Sequence, residues 1–121
     1  IEAEEARWEE IMCDDADYVI VAYGSSARIS AAVAEQAREQ GIKVGLLRPI
    51  TLYPFPKAAI CRLVERGVKG FLVAELNAGQ MVEDVRLAVN GAVQIEHYGR
   101  TGGVLFTPEE VLDALKNKLV K

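Results

Sequence analysis

A parallel α/β sheet is the fold class that the sequence predicts, and three observations of one kind predict it. YVIVAYGSSAR at Tyr18 to Arg28, GLLRPITLYPFP at Gly45 to Pro56 and ELNAGQMVEDVRLAVNG at Glu75 to Gly91 are apolar strand-like runs that end in a small-residue or proline turn and lead into a helical pattern. Repeated strand, crossover and helix units are what a parallel sheet covered by helices requires. Ligands and partners gather at the carboxyl ends of the strands in such sheets. The loops Gly24-Ser25-Ser26, Arg48-Pro49 and Asn77-Ala78-Gly79-Gln80 are therefore expected on one rim.

Length and composition limit what the rest can be. With 121 residues, half of them hydrophobic, the chain suits one domain with a real core and is too short for two. No run approaches the length of a membrane span and no secretory leader is present, so a soluble, cytoplasmic chain without membrane or nucleic-acid partners is expected. Its start at Ile1 fits a piece of a longer polypeptide. The net charge of -4 hides an asymmetry: residues 1–17 hold eight acids against Arg7 alone, whereas residues 18–121 hold ten acids and thirteen bases. That acidic N-terminal segment is expected either as a solvated leader or as a piece that docks on a basic partner surface. Cys13 and Cys61 fit no metal spacing, and with His97 the single histidine, neither zinc nor an iron–sulfur cluster is supported. Both thiols are expected to be reduced packing residues.

Along the chain the pattern predicts five strands and four helices. Ala6 to Met12 sets Trp8 among charged neighbours, which suits a short edge strand or a frayed helix. Tyr18 to Tyr23 is almost continuously apolar, the mark of a central strand covered on both faces. Ser25 or Ser26 caps the next helix, in which Ile29, Val33 and Ala37 form the buried stripe and Gly41 the stop. Lys43 to Leu47 is the next strand. Pro49, Pro54 and Pro56 bound a stiff turn before a helix from about Lys57 to Arg66, ended by Gly67. Leu52, Tyr53 and Phe55 in that turn cannot all face inward, which points to a contact surface. Phe71 to Leu76 is the fourth strand. Gln80 to Val89 forms its helix, with Val82, Val85 and Val89 on one face and Asn90-Gly91 as the stop, and Gln94 to His97 is a short fifth strand. The last helix opens on the capping box Thr107-Pro108-Glu109-Glu110 and buries Val111, Leu112, Leu115 and Leu119.

Chemistry-bearing motifs are sparse. Gly24-Ser25-Ser26-Ala27 meets a helix N-terminus, but its spacing matches neither the dinucleotide fingerprint nor the phosphate loop. Ordinary capping competes there with contact to an anion or partner. Glu75, Asn77 and Gln80 are placed either to orient a ligand or to lock the neighbouring loop. The stretch after His97 is rich in glycine and carries Arg100, whose fork suits a ligand carboxylate, a phosphate or a partner subunit. No serine stands in a nucleophile elbow, and each is better used as a cap.

Taken in order, DADYVIVAYGSSAR, GIKVGLLRPITLYPFP, LNAGQMVEDVRLAVNG and EHYGRTGGVLFTPEEVLDAL resemble the C-terminal, transketolase-C-like domain of the alpha subunit of 2-oxoacid:ferredoxin oxidoreductases, in particular the 2-oxoisovalerate and 2-oxoglutarate branches. The resemblance runs from about Ala6 to Leu119. It implies a three-layer α/β/α sandwich whose five-stranded, mostly parallel sheet has the order 1-3-2-4-5 with the first strand antiparallel. The order then reverses between Tyr18 to Tyr23 and Phe71 to Leu76, which sets a crevice between Gly24-Ser25-Ser26 and Glu75 to Gln80. It also implies thiamine diphosphate, Mg2+ and iron–sulfur clusters in the full complex, with none bound by this chain. The implied partners are an N-terminal pyrimidine-binding domain of the same subunit, beta and gamma, or beta, gamma and delta, subunits, and ferredoxin through the complex. No catalytic residue carries over, and the chain is expected to be an assembly domain. The C-terminal domain of a transketolase or of a 2-oxoacid dehydrogenase E1 component, and a free-standing flavodoxin-like module, are the alternatives that this fold admits.

Overall fold

The structure, a computed structural model, describes residues 8–22, 25–49, 57–75, 85–87, 89, 91, 93–99 and 107–119. Its elements in chain order are β1 (Trp8–Ile11), β2 (Tyr18–Ala22), α1 (Ser25–Glu39), β3 (Val44–Pro49), α2 (Lys57–Glu65), β4 (Gly70–Glu75), β5 (Gln94–Gly99) and α3 (Pro108–Ala114), which runs on into a π-helical turn at Leu115–Leu119. Residues 85–87 are also helical.

The strands form one sheet of order β1-β3-β2-β4-β5, in which only β1 runs antiparallel to its neighbour. The reason lies in the side chains. Successive residues of a strand point to opposite faces, so a strand buried on both must be apolar throughout. In β2, Val19 and Val21 enter one core while Ile20 and Ala22 enter the other, and in β4 Phe71 and Val73 are divided from Leu72 and Ala74 in the same way. One core takes Ala59, Ile60 and Leu63 of α2 with Val85 and Val89. The other takes Ala27, Val33, Ala34 and Ala37 of α1 with Val111 and Leu112 of α3 and Leu115 of the turn that follows. Two helical layers thus sandwich the sheet, which is the three-layer α/β/α architecture.

Local signals close two of the elements as expected, whereas α1 already includes Ser25 and Ser26 as its first two residues, so neither precedes it as a cap. Thr107 caps α3, its Oγ1 accepting from the Glu110 amide at 3.2 Å, with Pro108 in the first turn. Gly41 takes φ +87 after α1, and the amide of Ile42 donates to the Ala37 carbonyl at 2.9 Å, the six-to-one closure of a left-handed stop.

Several expectations need correction. The edge strand expected over Ala6 to Met12 is present but shorter, at Trp8–Ile11, and β1 draws its order from the edge of β3, where Glu9 stands opposite Arg48 and Ile11 opposite Leu46. Arg48-Pro49 is not a loop: both residues belong to β3, which is longer than Lys43 to Leu47. Pro49 is tolerated where it stands, at the last position of the strand. β5 likewise extends through Tyr98 and Gly99. In α1 the buried stripe passes through Ala27, Ser30, Val33, Ala34 and Ala37, leaving Ile29 partly exposed. Ser30 is therefore no cap. Cys13 packs as expected, but Cys61 is exposed on the outer side of α2. The expected contributions of Leu76 to β4 and of Val82 to the fourth helix, and the burial of Leu119, lie outside the described residues or side chains.

The acidic N-terminal segment is neither a bare solvated leader nor a free docking arm where the structure describes it. Its acids meet the body's own arginines: Glu9 with Arg48, Glu10 with Arg62 and Arg66, Asp14 with Arg66 and Asp15 with Arg38. The charge asymmetry of the sequence is in large part an internal pairing that ties β1 and its turn to α1, β3 and α2.

Candidate functional site

Parallel pairing sets the carboxyl ends of β2, β3 and β4 side by side, with Val21 opposite Leu47 and Ala22 opposite Ala74. Ser25 opens α1 just past β2, Ser26 follows it, Arg48 lies near the end of β3, and Glu75 ends β4 opposite Gly99 of β5. These four share the expected rim. The strand order reverses between β2 and β4, so the topology has its switch point where the resemblance put it. Gly24, Leu52, Tyr53, Phe55, Asn77, Gln80 and Arg100 lie outside the described residues.

The structure brings Arg48 together with residues that the sequence did not single out. Leu46 and Arg48 project from one face of β3, because they are two apart on a strand, and antiparallel pairing puts Ile11 and Glu9 of β1 beside them. Ala27 and Ala31, one helical turn apart on α1, leave space above this face, and Arg28 stands between them in sequence on the exposed side. Together Ile11, Ala27, Arg28, Ala31, Leu46 and Arg48 line a depression of 210 Å³. Arg48 donates from Nη1 to Glu9 Oε1 at 2.8 Å and remains 47% exposed. Arg28 has no ion pair among the described residues. Sequence signals for this feature were a small-residue pair flanking an arginine on α1 and the Arg48 side chain, but only the pairing of β1 with β3 joins them.

Cys13 is buried and donates to the carbonyl of Leu46 at 3.3 Å, and desolvation together with the Glu10 carboxylate pushes its thiol up to about 11. That is the reverse of a thiolate ready to hold a metal or attack a substrate. Among the described residues no group of three or more His, Cys, Asp or Glu is arranged to hold a metal ion. No helix among them is long and apolar enough to cross a membrane.

A five-stranded sheet of this order, sandwiched by helices and with its first strand reversed, defines a transketolase-C-terminal-like α/β domain. The chain belongs to the family described as pyruvate:ferredoxin oxidoreductase core domain II, which it matches over residues 16–111. It is 46% identical over 116 residues to the ketoisovalerate oxidoreductase subunit VorB of Methanothermobacter thermautotrophicus, a match that covers 96% of this chain and 32% of that protein. The chain thus spans about a third of the length of that relative. In fold it is similar to the 2-oxoglutarate:ferredoxin oxidoreductase of Magnetococcus marinus, solved with 2-oxoglutarate, coenzyme A and succinyl-CoA bound, with a TM-score of 0.71, 24% identity and coverage of 91% of this chain and 19% of that one. A split-gene transketolase, solved as an inactive beta4 tetramer, superposes with a TM-score of 0.79 at 17% identity, covering 93% of this chain and 41% of that one. At such identities these two structures share the fold.

Proposed function

We propose that the chain is the C-terminal assembly domain, single over residues 1–121, of the alpha subunit of a cytoplasmic, thiamine-diphosphate-dependent 2-oxoacid:ferredoxin oxidoreductase. Such an enzyme oxidatively decarboxylates a 2-oxoacid, releases an acyl-CoA and reduces ferredoxin. The family match over residues 16–111 carries this reading. The identity to a ketoisovalerate oxidoreductase subunit favours a branched-chain 2-oxoacid as substrate of the whole enzyme.

Within that enzyme this domain packs and positions rather than reacts. Its thiols do not suit a cluster, since Cys13 is buried and held protonated and Cys61 lies on the outside of α2. In this reading thiamine diphosphate, Mg2+ and the clusters belong to the pyrimidine-binding domain and to the other subunits. The rim formed by Gly24, Ser25, Ser26, Arg48, Glu75, Asn77, Gln80 and Arg100, with Leu52, Tyr53 and Phe55 in their proline-bounded turn, is the surface that meets them.

The test uses the whole alpha subunit with its partner subunits. The complex is expected to reduce ferredoxin with 2-oxoisovalerate and coenzyme A, whereas calorimetric titration of the 121-residue chain with thiamine diphosphate and Mg2+ shows no saturable heat. Saturable binding of the cofactor to the isolated chain would refute the assembly role, and a complex inert toward every 2-oxoacid would remove the enzyme assignment.

A further inference from the structure

The depression between α1, β1 and β3 is built like a socket for one side chain. Ala27, Ala31 and Leu46 give it a floor without polar groups, and Ile11 gives it an apolar wall. Ile11 and Leu87 are the two large hydrophobic side chains exposed among the described residues. At 210 Å³ it is smaller than the roughly 300 to 1,000 Å³ of pockets that enclose cofactors and metabolites, so it suits an anchor residue better than a free ligand.

Charge narrows the choice further. Arg38, Arg62 and Arg66 are each paired with acids of the N-terminal segment. Around the depression that neutralisation is incomplete: Glu9 pairs with Arg48, which stays half exposed, and Arg28 meets no acid among the described residues. Glu10, Asp14 and Asp15 are already engaged elsewhere. A carboxylate that complements Arg28 would come from outside the described residues. Arginine beside an apolar socket is the composition of an interface anchor site, because its fork binds a carboxylate through two hydrogen bonds while its stem packs against apolar surface.

We propose that this depression docks an acidic segment of a partner subunit, an aliphatic side chain filling the floor between Ile11 and the α1 alanines while flanking Asp or Glu carboxylates bind Arg28 and Arg48. The proposal rests on the reading of the chain as an assembly domain. A free small acid would satisfy the guanidinium groups but leave most of its own surface wet at so open a rim. A polypeptide adds contact area on either side.

The experiment follows association of the whole alpha subunit with separately purified partner subunits. Arg28→Glu and Ile11→Ser are each expected to raise the dissociation constant about tenfold or more, with melting temperature unchanged. Arg28→Glu should also flatten its salt dependence. A photoreactive benzoylphenylalanine in place of Arg28 is expected to cross-link to an acidic segment of a partner subunit. Unchanged association in folded variants overturns the proposal, as do cross-links to a segment without acids or to a second copy of this chain. Saturable titration of the wild-type subunit with 2-oxoisovalerate or succinate that Arg28→Glu abolishes also overturns it, in favour of a small-molecule site. Should Ile11→Ser unfold the subunit, Arg28→Gln, which touches only the exposed rim, decides. Ferredoxin reduction by the wild-type complex reads the enzyme assignment separately: an active complex whose association ignores Arg28 sinks the docking site alone, and an inert complex with the expected cross-link sinks the enzyme assignment alone.

Discussion

Arg38 holds Asp15 in a two-pronged ion pair, Nη2 lying 2.7 Å from Oδ1 and Nη1 3.2 Å from Oδ2 across 23 residues of chain. The same guanidinium donates to the carbonyls of Met12 at 2.6 Å and Val44 at 2.9 Å. It therefore joins the last turn of α1 to the β1–β2 turn and to the start of β3, and supplies hydrogen bonds where Met12 takes the left-handed φ of 56. Removing it leaves two carbonyls without that donor. Arg38→Ala is expected to lower stability by about 1–3 kcal/mol in urea denaturation, and Arg38→Lys to recover only part of the loss, since one ammonium cannot span three acceptors.

The pair also sets a pH dependence. The hydrogen bond from Arg38 holds the Asp15 carboxyl below its ordinary value. A carboxyl depressed in the fold contributes stability that is present above its unfolded value, about 4, and is lost as pH falls through the folded one. Midpoints measured from neutral pH downward should fall more steeply for the wild type than for Asp15→Asn, and the two curves should converge in acid. Parallel curves would show that the pair carries no linkage.

Gly45 answers to a different constraint. A β-carbon there would stand 2.8 Å from the Met12 carbonyl oxygen and 2.9 Å from both Cα and Sγ of Cys13, and two of those three atoms are backbone. The glycine in mid-strand lets the β1–β2 turn lie against β3. Gly45→Ala should cost about 1–3 kcal/mol, as overpacking does, and release the Cys13 thiol to labelling in the native state. A variant with the wild-type melting temperature would mean the turn moves aside freely.

These relationships explain where sequence reading succeeds and where it stops. β2 is legible because each of its faces needs apolar residues, and the α3 cap because Thr107, Pro108 and Glu110 act within one turn. β1 is legible only in part, since Glu9 and Glu10 leave a strand and a frayed helix both open locally, and what orders them are arginines 39 and 52 residues away. Gly45 and Arg38 read as an ordinary glycine and an ordinary surface cation until β1 is paired with β3. At the site, the rim was legible as strand ends, but Arg28 and Ile11 were not, because the depression exists only where an edge strand and a helix from separate parts of the chain converge.

The two thiols should separate by environment. Cys61 is exposed and Cys13 buried, so a disulfide reagent near neutral pH is expected to label one thiol rapidly and the second only on unfolding. Because burial pushes Cys13 up to about 11 from 9.0, the unfolded chain loses that proton first as pH rises, and stability should fall between those values by at most about 2–3 kcal/mol. Cys13→Ala should remove this alkaline slope while leaving other titrations in place. An unaltered slope would show that Cys13 does not set it.

Ser30 offers the opposite kind of substitution, one expected to stabilise. It lies fully buried in α1, among Ala27, Val33 and Ala34 on the side that faces the sheet and α3, and its Oγ finds no hydrogen-bond partner. A hydroxyl stripped of water and left unpaired costs about 1–3 kcal/mol, and serine is also a poorer helix former than alanine. Ser30→Ala deletes one atom, and so creates little cavity. The variant is expected to gain about 1 kcal/mol in urea denaturation and to melt a few degrees higher. A loss of stability would show instead that the hydroxyl is satisfied in solution, by a water or by the carbonyl one turn earlier in α1. Ser30→Cys then discriminates, since it keeps a two-atom side chain with a far weaker hydrogen-bonding group: a further loss with cysteine means that the hydroxyl is satisfied, whereas recovery means that the hydrogen bond was never the reason for serine at this position.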